Sequence, residues 1–335
     1  MSSIQTTTIQ ADTTNPILKL RGSHLEPNTS AYPELDKKGY TVVRNVLSKE
    51  KSSSYVDKAF DWLEGFDKGF KRDDRSTWKP ESLPAFSRGG LFNRHGAAHE
   101  QWAWDIRSEQ NIIDVFAKIW DTDELLVSFD AVNISLPFDQ DANFQKDAWP
   151  HTDQSPLRRH KHCIQGIANL VEVGPKDGSL LVLEGSFELY NEFFEIHDKD
   201  APPEGWSWRD SFLPTNDQLQ WFYDKGCKWK KIEAGPGDLI LWDSRTIHYG
   251  GNAEGDSIRV ATYICYKPAK DILPDALERR KNCWDELIGT SHDPLLFRET
   301  GSIALGPLTD DERLRPLQRP VLSDRAKQLA GITSY

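Results

Sequence analysis

The segment that decides the fold is Trp149-Pro150-His151-Thr152-Asp153, in which an imidazole and a carboxylate lie two residues apart. In a β-strand, residues i and i+2 point to the same face, so His151 and Asp153 can approach one point while Thr152 faces away. Neutral imidazole and carboxylate suit a divalent first-row metal, and a second histidine would complete the 2-His-1-carboxylate triad of non-haem iron oxygenases. The pair alone also occurs by chance in solvated loops.

A second pattern, at residues 235–259, strengthens the metal-site interpretation. The Gly-Pro-Gly-Asp sequence at 235–238 predicts a tight turn into an apolar strand. His248 lies just past the end of that strand, and Arg259 opens the next one. An iron site that uses 2-oxoglutarate needs three protein ligands and a buried cation for the distal carboxylate. Arginine serves best because it is always charged and binds carboxylate with two parallel hydrogen bonds.

The composition excludes several classes of protein. The 335-residue chain has a net charge of −11 and a pI near 5.4, which argues against a nucleic-acid surface because phosphate binding needs a basic patch. No apolar run approaches the roughly 20 residues that span a bilayer, and the first residues do not resemble a secretory signal. The cysteines are widely spaced and form no C-x-x-C pair, as is typical of reduced thiols. We therefore expect a cytoplasmic protein that binds neither nucleic acid nor membrane.

The order of the predicted elements indicates one mainly β domain. Short strand patterns recur between residues 125 and 266, the first of them a continuous strand over 125–136, and helix patterns precede and follow them. We predict a double-stranded β-helix, that is, a jelly-roll or cupin-like barrel with flanking helices. The predicted organisation is a flexible N-terminal tail over 1–30, the barrel with its helical supports over 31–270, and a C-terminal helix and extended tail over 271–335 that pack on the same domain.

The chain resembles the phytanoyl-CoA dioxygenase family of iron(II)/2-oxoglutarate oxygenases, in particular its members in fungal secondary metabolism. The resemblance covers about residues 35–270 and is strongest in segments 151–153, 174–186 and 237–259. The separation between the distal histidine and Arg259 is the one usual in the family. The fold that the resemblance implies is the same barrel, and the implied cofactors are iron(II), 2-oxoglutarate and dioxygen.

The resemblance also implies roles for individual residues. Arg259 is expected to bind the C5 carboxylate of 2-oxoglutarate. Asn133 and Gln165 fall on strand positions where family members often contact the co-substrate. From the residues alone, Gln165 can equally hydrogen-bond a neighbouring strand and Asn133 can cap a turn. The implied iron ligands, which are also the catalytic residues, are His151, Asp153 and His248.

The chain departs from the family pattern at two positions. Family members often have Ser or Thr two residues after the distal histidine, where this chain has Gly250. Another group must then share the co-substrate carboxylate, or Arg259 binds it alone. Many relatives also have Gly-Ser-His where this chain has Gly-Ser followed by Phe187.

Two locally basic segments flank the metal motif and suggest the kind of substrate. Residues 88–107 and 158–162 carry arginines and histidines in an otherwise acidic chain, and positive groups at a cavity mouth would attract a small anion. We expect a small organic substrate with a carboxylate, such as an amino acid or an acidic metabolite, rather than a macromolecule. The same side chains can instead belong to the core or to solvated loops. The candidate substrate-binding residues are Arg94, His95, His99, Trp102, Trp149 and Arg158.

Two classes of function remain open from the sequence. The first is a non-haem iron(II)/2-oxoglutarate-dependent dioxygenase that oxidises a C–H bond of a small molecule, by hydroxylation or by a related desaturation, epoxidation or ring formation. The second is a non-oxidative metal-binding barrel, either a hydrolase or isomerase or a catalytically silent binding protein. Arg259 separates them, because a hydrolase site does not need a buried arginine that faces the metal.

Overall fold

The computed structural model covers most of the chain. The greater part of the predicted N-terminal tail, residues 1–25, lies outside the described residues, as does Arg88. The residues that the structure describes are 26–87, 89–137, 148–300 and 313–335.

The strands of these ranges lie mainly in the central part of the chain, as the sequence predicts. They are β1 (Tyr40–Val43), β2 (Leu91–Phe92), β3 (Leu125–Val127), β4 (Val132–Ser135), β5 (Ile164–Asn169), β6 (Ser179–Glu184), β7 (Lys228–Lys231), β8 (Leu239–Asp243), β9 (His248–Gly251) and β10 (Arg259–Pro268).

The α-helices of the described residues lie before, between and after the strands. They are α1 (Pro33–Lys38), α2 (Lys49–Glu64), α3 (Gln101–Arg107), α4 (Gln110–Trp120), α5 (Tyr190–Ile196), α6 (Asn216–Asp224), α7 (Pro274–Asp285) and α8 (Asp324–Ala330).

The strands form two antiparallel sheets. The larger has seven strands, in the order β1-β8-β5-β10-β4-β2 with β3 also paired to β10, and the smaller has three, in the order β7-β6-β9. Strand β10 is long enough to pair with β3, β4 and β5. The mainly β fold with flanking helices is thus confirmed, although in the described residues the two sheets do not close into a continuous hydrogen-bonded barrel.

The space between the two sheets has an apolar inner end. Its buried side chains come from both sheets, because alternate residues of a strand face inward. Burial of such residues stabilises the fold by about 25 cal/mol per Å² of apolar surface. The members of this cluster are Tyr40, Ile167, Leu180, Val182, Ile232, Ala234, Ile240, Trp242 and Ala261.

Several helices, among them α3, α4 and α8, pack on the larger sheet and belong to a second, larger core. Helix α4 repeats apolar residues at helical spacing, as the sequence predicts, and packs on β10. The rings of Phe116 on α4 and Tyr266 on β10 lie 4.7 Å apart. This packing fixes β10, whose first residue is Arg259, relative to the helical layer.

The tight turn predicted at 235–238 is present and leads into β8. Gly237 has φ of 90°, and a Cβ atom there would lie 2.2 Å from the backbone oxygen of Leu47, so the position requires glycine. The Asp238 carboxylate closes the turn, because it accepts hydrogen bonds from the backbone N–H groups of Gly235 at 2.7 Å and Asn45 at 2.8 Å. The turn therefore sets where β8 begins.

Two further sequence predictions concern cysteines and membranes. All four cysteines are free and buried, and their reduced state stays a prediction. Among the described residues, we find no helix that combines the length and the apolar character needed to span a bilayer.

Candidate metal centre

Two histidines and an aspartate converge at the open end of the space between the sheets. His151 pairs with His248, the first residue of β9, through backbone hydrogen bonds of 3.0 and 2.9 Å in both directions. Asp153 lies two residues after His151, and its backbone N–H donates to the carbonyl of Ser244 at 3.1 Å. One ligand atom from each of His151, Asp153 and His248 lies within 4.8 Å of the others.

Each histidine of this centre is oriented through its Nδ1 atom. Nδ1 of His151 lies 3.1 Å from the carbonyl oxygen of Trp149, and Nδ1 of His248 lies 2.9 Å from that of Thr246. An Nδ1–H that donates to a backbone carbonyl leaves the lone pair on Nε2, which is the arrangement typical of metal-binding histidines. The two Nε2 atoms face Asp153, at 3.5 Å from Oδ1 for His151 and 3.4 Å from Oδ2 for His248.

The aspartate of the centre is held in its ionised form. Burial alone would raise the pKa of the Asp153 carboxyl, but the imidazoles of His151, His292 and His248 hold this pKa well below its usual range. The side-chain amide of Gln165 also donates to Oδ2 of Asp153 at 3.0 Å. Two imidazole nitrogens and an ionised carboxylate are the donor set expected for iron(II), so the residues present fit the implied metal.

The three side chains lie in a cavity of about 550 Å³ between the sheets. This volume is in the range of small-molecule sites. Strands β4, β5, β8, β9 and β10 all contribute residues to its wall. Its strand-borne members include Asn133, Gln165, Trp242, Arg259 and Tyr263.

Arg259 places a positive charge inside this cavity. Only 6% of the residue is exposed, and no carboxylate of the described residues forms an ion pair with it. A buried guanidinium without an internal partner carries a large desolvation cost unless it binds an anion. Its position in the cavity wall therefore fits the predicted contact with a carboxylate of 2-oxoglutarate.

Asn133 and Gln165 both lie in the cavity wall, but their hydrogen bonds differ. Oδ1 of Asn133 accepts from the hydroxyl of Ser135 at 3.0 Å, and Ser135 is the cross-strand neighbour of Arg259. The amide of Gln165 instead donates to Asp153. Gln165 thus contacts a predicted metal ligand directly, whereas a contact with the co-substrate stays a prediction for both residues.

Of the predicted substrate-binding residues, Trp149 lies in the cavity wall. Its ring stacks on that of His151, with ring centroids 4.0 Å apart. The structure does not bring the other members of that set to the cavity wall. They are Arg94, His95, His99, Trp102 and Arg158.

Local packing explains why these side chains lie elsewhere. The two ring nitrogens of His95 lie 2.9 and 3.2 Å from the carbonyl oxygens of Ala85 and Arg313. His99 is fully buried, and burial lowers its pKa to about 3. Arg94 and Trp102 are also buried. These side chains pack within the protein and do not reach the cavity wall. Their spacing in the sequence did not predict this, because it does not show which side of the 91–107 segment faces the cavity.

Arg158 does not line the cavity, but it forms an ion pair with a residue that does. Its Nε atom forms an ion pair with Oδ1 of Asp210 at 3.2 Å, and both side chains are largely buried. Burial raises the pKa of Asp210, and the Arg158 guanidinium opposes that rise. Arg158 thus neutralises an acidic group of the cavity wall.

Sequence reasoning missed three polar residues of the cavity wall. Arg209 lies between α5 and α6, and His292 and Arg298 belong to the predicted C-terminal tail. No periodicity or motif marks them, because the chain brings them to the cavity only through tertiary packing. The excess of basic residues near the metal motif pointed to side chains other than the arginines that line the cavity.

The comparisons with known proteins agree with this site. Residues 35–261 match the family described as phytanoyl-CoA dioxygenase (PhyH). The chain is 41% identical, over 78% of its length and 84% of the relative, to the Ava biosynthesis cluster protein O of Aspergillus versicolor.

Solved structures with a similar fold include two metal-containing proteins of low sequence identity. One is EctD from S. alaskensis with bound Fe, with 14% identity, coverage of 74% of this chain and 79% of that chain, and a TM-score of 0.47. The other is HygX from Streptomyces hygroscopicus with nickel and 2-oxoglutarate bound, with 13% identity, coverage of 70% and 85%, and a TM-score of 0.46.

The family match spans both halves of the candidate metal centre. His151, Asp153, His248 and Arg259 all lie within residues 35–261. The chain therefore belongs to the phytanoyl-CoA dioxygenase (PhyH) family, and it is a non-haem dioxygenase that uses iron(II), 2-oxoglutarate and dioxygen.

Proposed function

We propose that this enzyme oxidises a C–H bond of a small organic metabolite, with iron(II) held by His151, Asp153 and His248. The observation that carries the proposal is the convergence of two Nε2 atoms and an ionised carboxylate in the same cavity as the buried Arg259 guanidinium. Together they provide three metal ligands and an anchor for the co-substrate. Hydroxylation is the expected outcome, and desaturation, epoxidation or ring formation are the related alternatives.

The chemistry that bound iron(II) supplies is the activation of dioxygen, with 2-oxoglutarate converted to succinate and carbon dioxide. The residues of this chain orient and protect that reaction. Arg259 fixes the distal carboxylate of the co-substrate, with Asn133 beside it. Gln165 holds the Asp153 carboxylate in place, and Trp149 covers the ring of His151 and limits water on that side.

Two observations support a small metabolite as the substrate. A cavity of about 550 Å³ that also holds 2-oxoglutarate leaves room for one compact molecule. The fungal relative at 41% identity bears the name of a biosynthesis cluster protein, which favours a reaction on a secondary metabolite.

The three-ligand arrangement leaves the other coordination positions of the metal to co-substrate and dioxygen, as the reaction requires.

The non-oxidative alternative is disfavoured by the environment of Arg259. A metal-dependent hydrolase or isomerase uses its metal to polarise substrate or to activate water, and it gains nothing from a buried, unneutralised guanidinium. That guanidinium would cost stability without an anionic co-substrate to offset its desolvation.

The test is the release of succinate from 2-oxoglutarate by purified protein with iron(II) and ascorbate. We expect succinate with iron(II) and none with zinc, nickel or cobalt, which should bind at the same ligands. Calorimetric titration of the nickel-loaded protein with 2-oxoglutarate gives a readout that does not depend on turnover. Absence of both succinate release and 2-oxoglutarate binding would favour the non-oxidative alternative.

A further inference from the structure

The C-terminal part of the chain turns back to form one side of the cavity. Residues 289–300 form a hairpin-like turn, in which the N–H of Ser291 donates to the carbonyl of Arg298 at 2.8 Å and that of Thr300 to Gly289 at 2.9 Å. Ser291, His292, Arg298 and Thr300 line the cavity. This turn lies beyond the residues that match the family model.

A buried ionic network ties the turn to the barrel. Oδ2 of Asp293 accepts from Nζ of Lys267 at 2.7 Å and lies 2.8 Å from Nε2 of His162, while Oδ1 accepts from the backbone N–H groups of Leu295 and Leu296 at 2.8 and 3.1 Å. Both carboxylate oxygens of Asp293 are thus engaged. The neighbouring residue, His292, is held at the cavity wall by this anchor.

His292 presents an unused polar atom to the cavity. Its Nε2 atom is buried and has no hydrogen-bond partner in the described part of the chain. Most buried polar side-chain atoms in proteins have a partner, and one in a cavity wall that lacks it calls for a partner from outside the chain, such as water, an ion or a ligand. His292 is therefore suited to contact a polar group of a bound molecule.

Two arginines line the same cavity as this histidine. Arg209 and Arg298 are exposed at the mouth, and neither forms an ion pair with an acidic side chain of the described residues. Burial and then the charge of Arg209 lower the pKa of Arg298, while Asp153 and Asp210 oppose that lowering. Of these two acids, Asp210 pairs with Arg158, and Asp153 is a predicted metal ligand.

The wall also offers apolar surface close to these charges. Trp149 stacks on the metal-side histidine, and Leu136 and Pro137 lie in the same wall. Leu213 is 60% exposed at the mouth. A molecule with one anionic end and an apolar body would match both kinds of surface.

We propose that the substrate is a small carboxylic acid with an apolar body, and that its carboxylate binds to Arg298, Arg209 and His292. The proposal rests on the proposed function, because it assigns the substrate side of the same cavity. The carboxylate site is distinct from Arg259, which serves the co-substrate. The C–H bond that is oxidised then belongs to the apolar body of the substrate, which faces the side of the cavity that holds the metal ligands.

The experiment measures binding to the nickel-loaded protein saturated with 2-oxoglutarate. The probes are matched pairs of a free acid and its primary amide: N-acetyl amino acids with apolar side chains, arylalkanoic acids and alkanoic acids. We expect at least one acid to bind about tenfold more tightly than its amide, as a charge-assisted hydrogen bond predicts. Arg298→Gln and Arg209→Gln should each reduce this preference, and their combination should abolish it. His292→Phe, which keeps a ring but removes the nitrogen, should weaken only the acids.

The matched control is Arg279→Gln. Arg279 is also exposed, and its guanidinium lies 4.9 Å from the ring of Phe297 in the same turn, but it does not line the cavity. This variant should retain the full preference for acids. If it loses the preference as Arg298→Gln does, the effect is a disturbance of the turn and the proposal fails.

Three further results would overturn the carboxylate site. The first is a panel in which no acid binds more tightly than its amide. The second is a preference that survives the double Arg209→Gln, Arg298→Gln variant. The third is binding of coenzyme A without an acyl group that depends on the same two arginines, since this would assign them to phosphate. Titration of each variant with 2-oxoglutarate separates these failures from a failure of the proposed function. The affinity for 2-oxoglutarate should be unchanged in every variant if the proposed function is correct.

Discussion

The described residues contain two clusters of histidine and aspartate with metal-ligand spacing, and the clusters differ in what occupies their centre. His151, Asp153 and His248 form one, and His162, Asp210 and Asp293 form the other, with the ligand atoms of each cluster within 4.8 Å of one another. In the second cluster, Nζ of Lys267 lies 2.7 Å from Asp293 and 2.9 Å from Nε2 of His162. The ammonium group of Lys267 thus lies where a metal ion would bind.

The difference teaches that spacing alone does not make a metal site. In the second cluster, Lys267 and Arg158 neutralise the carboxylates, so the charges balance within the protein. In the first, no lysine or arginine of the described residues pairs with Asp153. Its ion-pair partners are the imidazoles of His151 and His248, whose Nδ1 atoms already face backbone carbonyls. The first cluster therefore has unused capacity for a cation, and the second has none.

The buried arginines show the same contrast. Arg107 donates from Nη2 to the carbonyl of Asp130 at 2.8 Å, and Arg280 donates from Nε to that of Ala330 at 2.8 Å, so both hold the fold together. Arg259 has no such partner among the described residues. An unsatisfied buried arginine is therefore the better indicator of a ligand than burial itself.

The largest expected effect comes from Asp153→Ala. The loss of one of three ligands should reduce iron(II)-dependent turnover of 2-oxoglutarate by more than about 100-fold, since even the loss of an outer-shell partner costs 10- to 100-fold. The fold should persist, because Asp153 lies in a cavity rather than in a packed core. Succinate release and circular dichroism measure the two effects. Turnover at the parent rate would contradict the ligand assignment.

The corresponding change in the second cluster, Asp293→Asn, should damage stability instead. It leaves Lys267 buried without a counter-charge, which typically costs about 3–5 kcal/mol of the free energy of unfolding. Denaturant unfolding followed by fluorescence measures this loss, and metal analysis should still find one iron per chain. A variant as stable as the parent but unable to bind metal would reverse the roles of the two clusters.

The pH dependence of this stability has a defined sign. Burial alone would raise the pKa of Asp293, but Lys267 and His162 hold it well below its usual range. The ionised carboxylate therefore stabilises the fold fully above the pKa of an unfolded aspartate, about 3.9, and this contribution is lost as the pH falls through the folded pKa. The difference in free energy of unfolding between the parent and Asp293→Asn should be constant near neutral pH. It should shrink as the pH falls below the pKa of an unfolded aspartate.

The sequence predicted the first cluster better than the second for a physical reason. His151 and Asp153 are two residues apart, so local strand geometry alone directs both to one point. The members of the second cluster are far apart in the chain, and only tertiary packing shows that Lys267 lies between them. The sequence pointed to basic residues near the cavity, but not to Arg209 and Arg298.

The fold shows a similar division between local and long-range information. The predicted single strand over 125–136 is two strands, β3 and β4, because the carbonyl of Asp130 between them accepts from Arg107 and leaves the sheet ladder. His248 lies past the end of β8, as predicted, and it begins a further strand, β9, that the sequence did not predict. Its His-Tyr-Gly-Gly sequence has little strand propensity, and pairing with β6 makes it a strand.

Arg259→Lys tests the contrast between satisfied and unsatisfied arginines. Lysine keeps the charge but loses the two parallel hydrogen bonds, so the KM for 2-oxoglutarate should rise by about 10- to 100-fold, the equivalent of about 1.5–3 kcal/mol. Iron affinity should change little. Steady-state kinetics measures the KM for 2-oxoglutarate, and metal titration measures the iron affinity. Arg44→Lys, at an exposed arginine that pairs with Asp238, is the control that should leave both unchanged. An unaltered KM in Arg259→Lys would favour the non-oxidative alternative.

The smallest expected effect distinguishes Gln165 from Asn133, the two amides that the family resemblance assigns to the co-substrate. Gln165 donates to Asp153 at 3.0 Å, so Gln165→Ala should free that carboxylate to rotate and lower iron affinity by about tenfold. Asn133 makes no hydrogen bond to a metal ligand in the described residues, and it lies beside Ser135, the cross-strand neighbour of Arg259. Asn133→Ala should therefore raise the KM for 2-oxoglutarate modestly and leave iron affinity unchanged. Metal titration and steady-state kinetics of both variants separate the two effects. If Gln165→Ala changes only the KM, its amide serves the co-substrate, and its hydrogen bond to Asp153 does not control the metal.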